Sequence, residues 1–145
     1  MDPVTILSIA AAAGSLAFKC GTIVQTLHAL RDRFRQAELT ILSVIQDCRT
    51  IELAWSQIQK WAVNNLDVDD EHNELAERLQ LSIYSGQLFM AELEKDLASL
   101  ENIPKHSTLR RRTKIVWNES MLRVHQDRIQ RQMCALTLLL EVTQL

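Results

Sequence analysis

The fold turns on residues 1–30, MDPVTILSIAAAAGSLAFKCGTIVQTLHAL. Lys19 is the only full charge between Asp2 and Arg31. A solvated helix of that length carries several charges, so this one must hide against its own bundle, a partner or a membrane. Asp2 suits an N-cap and Pro3 the first helical position. At about 100° per residue the segment has three faces. Thr5, Ser8, Ser15, Lys19, Thr22 and Thr26 form a weakly polar stripe. Ala10, Gly14, Ala17 and Gly21 form a stripe of small residues, a pattern that lets another backbone come close. Bulky Ile6, Leu7, Ile9, Leu16 and Phe18, then Ile23, Val24 and Leu27, lie at or beside the flanks.

A membrane span needs about 20 predominantly apolar residues. The clean run from Pro3 to Phe18 stops at Lys19, so a span requires Lys19 to be paired or to snorkel. A secretory signal would need a positively charged start, and Asp2 stands there instead.

Outward from this segment, the 145 residues fit one domain, 1–145. Only three glycines and two prolines interrupt the chain, which favours long helices over an all-β fold. Four helical blocks are predicted, at about 3–30, 34–64, 70–101 and 108–144. Each has a length on the order of 40–55 Å. The second carries a seam of Ala37, Ile41, Val44, Cys48, Ile51, Trp55, Ile58 and Ala62. The third carries Leu75, Leu79, Ser82, Gly86, Phe89, Leu93, Leu97 and Leu100, with Gly86 placed for close approach by a neighbour. The fourth carries Ile115, Leu122, His125, Ile129, Met133, Leu136 and Leu140, and its tail CALTLLLEV reads as buried on both sides. Asp69 or Asp70 and Ser107 are the expected N-caps, and Pro104 stops the third block. Short connections predict antiparallel neighbours, hence an all-α, elongated antiparallel bundle of four long helices.

The remaining motifs point to no chemistry. No phosphate loop, nucleophile elbow, HExxH or paired-acid constellation is present, so a non-enzyme with no cofactor, metal or small-molecule substrate is expected. The net charge of −2 gives no bulk attraction for nucleic acid. The run Lys105, Arg110, Arg111, Arg112 and Lys114 has three readings. It pairs with Glu92, Glu94, Asp96 and Glu101 across a hairpin, it forms a patch for anionic lipid headgroups, or it contacts nucleic acid, for which no aromatic platform is interleaved. The acidic run Asp67, Asp69, Asp70, Glu71, Glu74 and Glu77 lacks the EF-hand order and reads as a solvated helix start. Cys20, Cys48 and Cys134 have no metal spacing and read as small core residues. His125 lies on an apolar seam and reads as a hydrogen-bonded core histidine. Trp55, Trp61 and Trp117 read as core or boundary residues.

The opening MDPVTILSIAAAAGSLAFKCGTIVQTL and the later VWNESMLRVHQDRIQRQMCALTLLL resemble the first and last helices of fungal N-terminal domains related to HeLo and HeLo-like domains. That resemblance implies a helical bundle set ahead of nucleotide-binding or repeat modules in receptor-like proteins. It implies a role in regulated cell death, with the first helix, here Ile6, Leu7, Ile9, Leu16 and Phe18, acting on membranes. The expected function is a signalling or interaction module working by helix-mediated self-assembly and membrane engagement, cytoplasmic and recruited to the plasma membrane. The alternative is a soluble scaffold or oligomerisation domain with no membrane step.

Overall fold

The computed structural model describes residues 3–65, 73–102 and 108–143, with side chains placed over 4–64, 74–102 and 120–142. Four helices account for nearly all of it: α1 (Pro3–Arg33), α2 (Glu38–Asn65), α3 (Asn73–Glu101) and α4 (Thr108–Thr143). The expected N-caps Asp2, Asp69, Asp70 and Ser107, the stop at Pro104 and the acids from Asp67 to Glu71 lie outside the described residues. Glu74 opens α3 and pairs with Arg78 at 3.3 Å, an ordinary surface pair.

Helix α1 runs three residues past its expected end, because Arg31, Asp32 and Arg33 are compatible with helix and nothing there breaks it. The two arginines in its last turn favour the helix dipole. The break comes at Phe34, whose backbone leaves the helical region (φ −123°, ψ 67°) while its ring is buried. A single 3₁₀ turn, Arg35–Ala37, then reverses the chain. Arg31 clasps the corner, with Nε and Nη2 both 3.0 Å from Glu38 Oε1.

Specific side-chain meetings fix the directions. Gly14 lies beside Gln59 and Gly21 beside Glu52, so α1 and α2 are antiparallel. Leu16 reaches Gly86, and Cys20 lies 3.9 Å from Met90. Arg33 Nη1 donates to the Glu101 carbonyl at 2.9 Å. Rising numbers on α1 thus meet rising numbers on α3, so these two are parallel. Gln126 bonds Ser43, and Gln130 Nε2 donates to Asp47 Oδ2 at 3.1 Å, so α2 and α4 are parallel too. Asp96 meets His125 and Ser82 meets Gln132, which makes α3 and α4 antiparallel.

Going round the bundle, the order is therefore α1, α2, α4, α3. Among the described residues the backbones of α2 and α3, and those of α1 and α4, stay apart, and long side chains such as Trp55 reach across the middle. This differs from the simple up-and-down neighbour order predicted from short connections. Each hairpin is antiparallel as expected, but α2 and α3 lie across a diagonal. Seven residues separate Asn65 from Asn73. At about 3.3–3.6 Å each they reach over 20 Å, enough for the roughly 14 Å diagonal of helices packed 8–10 Å apart.

The α2 seam is buried throughout, from Ala37 to Ala62. On α3 the buried line is Ala76, Leu79, Ile83, Met90, Leu93, Leu97 and Leu100, while Leu75, Ser82 and Phe89 are only half-buried. The tail of α4 corrects its reading. Only Leu136 is fully buried there; Cys134, Leu138 and Val142 face solvent and Leu139 and Leu140 are half-buried. A helix at the corner of a four-helix bundle has two neighbours, so one face is enclosed and a second apolar face stays open.

All four helices converge at Gly86. A Cβ there would stand 3.1 Å from Trp55 Cζ2, 3.1 Å from Gln132 Nε2 and 3.2 Å from Leu16 Cδ1. Gly21 is different: its added Cβ would sit 3.8 Å from the Glu52 carboxylate, an ordinary contact. Gly21→Ala should therefore stabilise the fold by about 0.5–1 kcal/mol through helix propensity alone. Gly86→Ala gains the same propensity but presses on three buried side chains at once, and overpacking costs about 1–3 kcal/mol. Thermal melts should place Gly21→Ala above wild type and Gly86→Ala below it; the reverse order would refute this packing.

Candidate functional site

The first helix meets three surroundings at once. Ile6, Ile9 and Leu16 point into the core, with Ala13, Cys20, Ile23, Val24, Leu27 and Leu30 on the same face. The small-residue stripe faces α2. Ala10 and Ala17 are buried, and Gly14 and Gly21 lie half-buried beside Gln59 and Glu52. The neighbours at the glycines are flexible side chains, so the close approach there is of side chain to backbone rather than backbone to backbone.

The five bulky residues predicted to act together separate. Three are core, whereas Leu7 (65% exposed) and Phe18 (79% exposed) stand in solvent with Val4 and Ala11 on the outward face. This outward strip is what makes α1 apolar on opposite sides. It is one helix long and apolar enough, from Val4 to Arg33, to cross a membrane.

Its polar groups are lightly held. Lys19 Nζ is 3.8 Å from Glu94 Oε2, with both side chains partly exposed, a pair worth about 0–1 kcal/mol. Thr22 and Thr26 donate to carbonyls one turn back, Phe18 O at 3.2 Å and Thr22 O at 3.4 Å. These hydroxyls need no water, as in helices that live among lipid. The firmer ties gather at the other end, at Arg31–Glu38 and Arg33–Glu101. Arg33 also lies over the Phe34 ring, 5.5 Å from its centre.

The basic run is divided. Lys105 lies outside the described residues, and Arg110, Arg111, Arg112 and Lys114 fall on α4 where no side chains are described. Two of the acids read as its partners are engaged elsewhere: Glu94 with Lys19, and Asp96 with His125. His125 is buried as expected, its Nε2 2.6 Å from Asp96 Oδ2. Trp55 is wholly buried and Trp61 half-buried; the side chain of Trp117 is outside the described set. Among the described residues no three His, Cys, Asp or Glu side chains gather as metal ligands would.

The sequence reading missed Gln132. It lies seven residues after His125 and four before Leu136, in the seam's own register, and it is buried. Its Nε2 donates to the Ser82 carbonyl at 3.0 Å, while Oε1 has no partner. The helical spacing could have found it; reading only apolar residues into the seam hid it.

The cysteines split as well. Cys20 and Cys48 are core, but Cys134 is exposed, on the side of α4 away from its neighbours. Burial pushes the Cys20 thiol up to about 12, with the Glu52 carboxylate adding to it. Burial raises Cys48 as well, with Cys20, Asp47 and Glu52 contributing. Both stay protonated in the fold while an unfolded thiol ionises near 9.0. The unfolded state thus binds fewer protons above that pH, so this contribution to stability is intact below pH 9 and declines as pH rises past it.

Neither a family model, nor a curated protein, nor a solved structure matches this chain. Thiol labelling at neutral pH should modify Cys134 alone, and all three cysteines only after denaturation. Fast native labelling of Cys20 or Cys48 would contradict the burial described here.

Proposed function

We propose that this chain is a helical assembly module in which α1 is the working part, released from the bundle to enter an anionic membrane, in signalling of the HeLo-like kind its two end helices resemble. In this reading it is non-enzymatic, self-associating and cytoplasmic until recruited to the plasma membrane. One observation carries the proposal: α1 presents apolar side chains on its buried face and, at Val4, Leu7 and Phe18, on its outward face.

Energetics then favour a particular mode of action. Three exposed side chains, even at the upper ~250 Å² an aromatic can bury, fall short of the ~800 Å² per partner of a standard interface. A rigid dimer through this strip alone is therefore unfavourable. Withdrawing α1 exposes Ile9, Leu16, Ile23, Val24, Leu27 and Leu30 at about 1.5–3 kcal/mol each. The sum, roughly 9–18 kcal/mol, rivals the whole stability of a domain. Water cannot compensate for it, whereas a bilayer or the vacated place in a second copy can. The weak Lys19–Glu94 pair gives way readily, and in a bilayer the Lys19 ammonium then has to snorkel or be paired again.

The scaffold alternative rests on the same burial, because α1 is an integral part of the core and its small stripe is packed on α2. Dye release from anionic liposomes separates the two. Wild type should cause leakage, and Leu7→Glu with Phe18→Glu should abolish it while shifting stability little, since both sites are exposed. A cross-linker joining Gly21→Cys to Glu52→Cys, in a Cys134→Ser background, should block leakage until it is cleaved. Leakage that survives this tether would refute release of α1. No leakage by wild type, together with self-association, would establish the scaffold reading. Arg110, Arg111 and Arg112 changed together to Glu should weaken vesicle binding if that run contacts lipid; unchanged binding removes it from the mechanism.

A further inference from the structure

The α3–α4 side of the bundle holds a groove of about 390 Å³, within the range that accepts a small molecule. Ser82, Ser85, Arg128, Arg131 and Gln132 line it, with Leu81 and Phe89 along the α3 wall and no acidic residue in the lining.

Its polar groups are mostly unspent donors. On other helix surfaces Thr22, Thr26, Thr50, Ser99 and Thr137 donate to the carbonyl four residues back. Among the described residues Ser82 and Ser85 make no such bond, and Arg128 makes no ion pair. Arg131 uses Nε on Asp127 at 3.1 Å, an exposed pair that leaves its terminal nitrogens available. At the base lies Gln132, only 6% exposed, anchored through Nε2 to α3 and carrying a carbonyl oxygen without a partner. A buried polar atom left in that state costs about 1–3 kcal/mol. Trp55, whose ring meets Gln132's amide at the Gly86 position, has its Nε1 likewise buried and unpartnered. Two guanidinium groups and two free hydroxyls match an oxyanion, and the Gln132 carbonyl, which can only accept, calls for an acid hydroxyl on the same head group, as a phosphate monoester's monoanion carries. Leu81, 67% exposed, and half-buried Phe89 supply apolar surface beside it.

We propose that the α3–α4 groove binds an amphiphilic oxyanion, its phosphate head held by Arg128 and Arg131 and its apolar arm laid along Leu81 and Phe89. No residue of α1 lines this groove. Such a head group comes from a free metabolite or from a phospholipid, and the test distinguishes these sources.

Octyl phosphate, below its aggregation limit, should bind saturably to the full chain and shift the Gln132 side-chain amide and the Arg128 and Arg131 Nε–H signals in NMR spectra. Inorganic phosphate and octanol, each carrying half of the ligand's chemistry, should bind at least tenfold more weakly. Arg128→Gln with Arg131→Gln, both exposed, should lower octyl phosphate affinity at least tenfold with an unchanged melt. Phe89→Ser should weaken octyl phosphate and leave inorganic phosphate as it was. Loss of phosphatidic acid vesicle binding in the double arginine variant assigns the lipid as source. Vesicle binding unaffected by that variant, alongside its loss of octyl phosphate, assigns the free compound. Saturation elsewhere on the chain, equal affinity for inorganic and octyl phosphate, or full affinity in the arginine variant overturns the proposal.

Discussion

Everything in this bundle depends on one missing side chain. Among the described residues Trp55 is the largest buried group, and its indole reaches into the volume that a residue at 86 would otherwise fill. Glycine there costs α3 about 1 kcal/mol of helix propensity. The return is a layer in which Leu16, Trp55 and Gln132, one from each remaining helix, all close on the α3 backbone. Packing of this density specifies a single arrangement, because a neighbour displaced by one turn would meet either a void or a clash. It also places the buried amide of Gln132 where it can bond a carbonyl of α3.

Around that layer, polar contacts set register while aliphatic burial supplies stability. Gln126 with Ser43 and Gln130 with Asp47 recur at four-residue steps, a short ladder between parallel helices. His125 and Asp96 do the same between α4 and α3. The cost of moving α1 is set by aliphatic burial, whereas its weak ion pair adds little. A helix held mainly by non-directional forces is indifferent to which apolar medium receives it, which is the physical basis for the function proposed.

Much of the architecture was legible because α2 repeats its apolar residues without exception, and every position of that seam is enclosed. The α3 seam was read one residue off at Leu75, Ser82 and Phe89. The buried line, Ala76, Leu79, Ile83, Gly86, Met90, Leu93, Leu97 and Leu100, keeps an alternating step of three and four, and Leu75 and Phe89, each as apolar as its buried neighbour, drew the reading to the edge of that line. The neighbour order was not legible, since chain length between α2 and α3 permits either an adjacent or a diagonal partner. Within the candidate site, Leu7 and Phe18 look like Ile9 and Leu16 in sequence. Only the position of α2 and α3 relative to α1 tells them apart. The open donors of Ser82, Ser85 and Arg128 were invisible for a similar reason, as two distant stretches of chain share that groove.

The polar ties of α1 are unevenly distributed along its length. Arg31 and Arg33 fasten its last turn, and the buried ring of Phe34 pins the corner beyond them. The stretch 4–18 carries no charged side chain. Departure of this helix would then resemble a flap lifting at its leading edge and pivoting about residue 33, with Val4 and Leu7 arriving first at whatever surface receives it. The sequence of events would be directional, since exposed Val4 and Leu7 stand at the end farthest from the arginine ties.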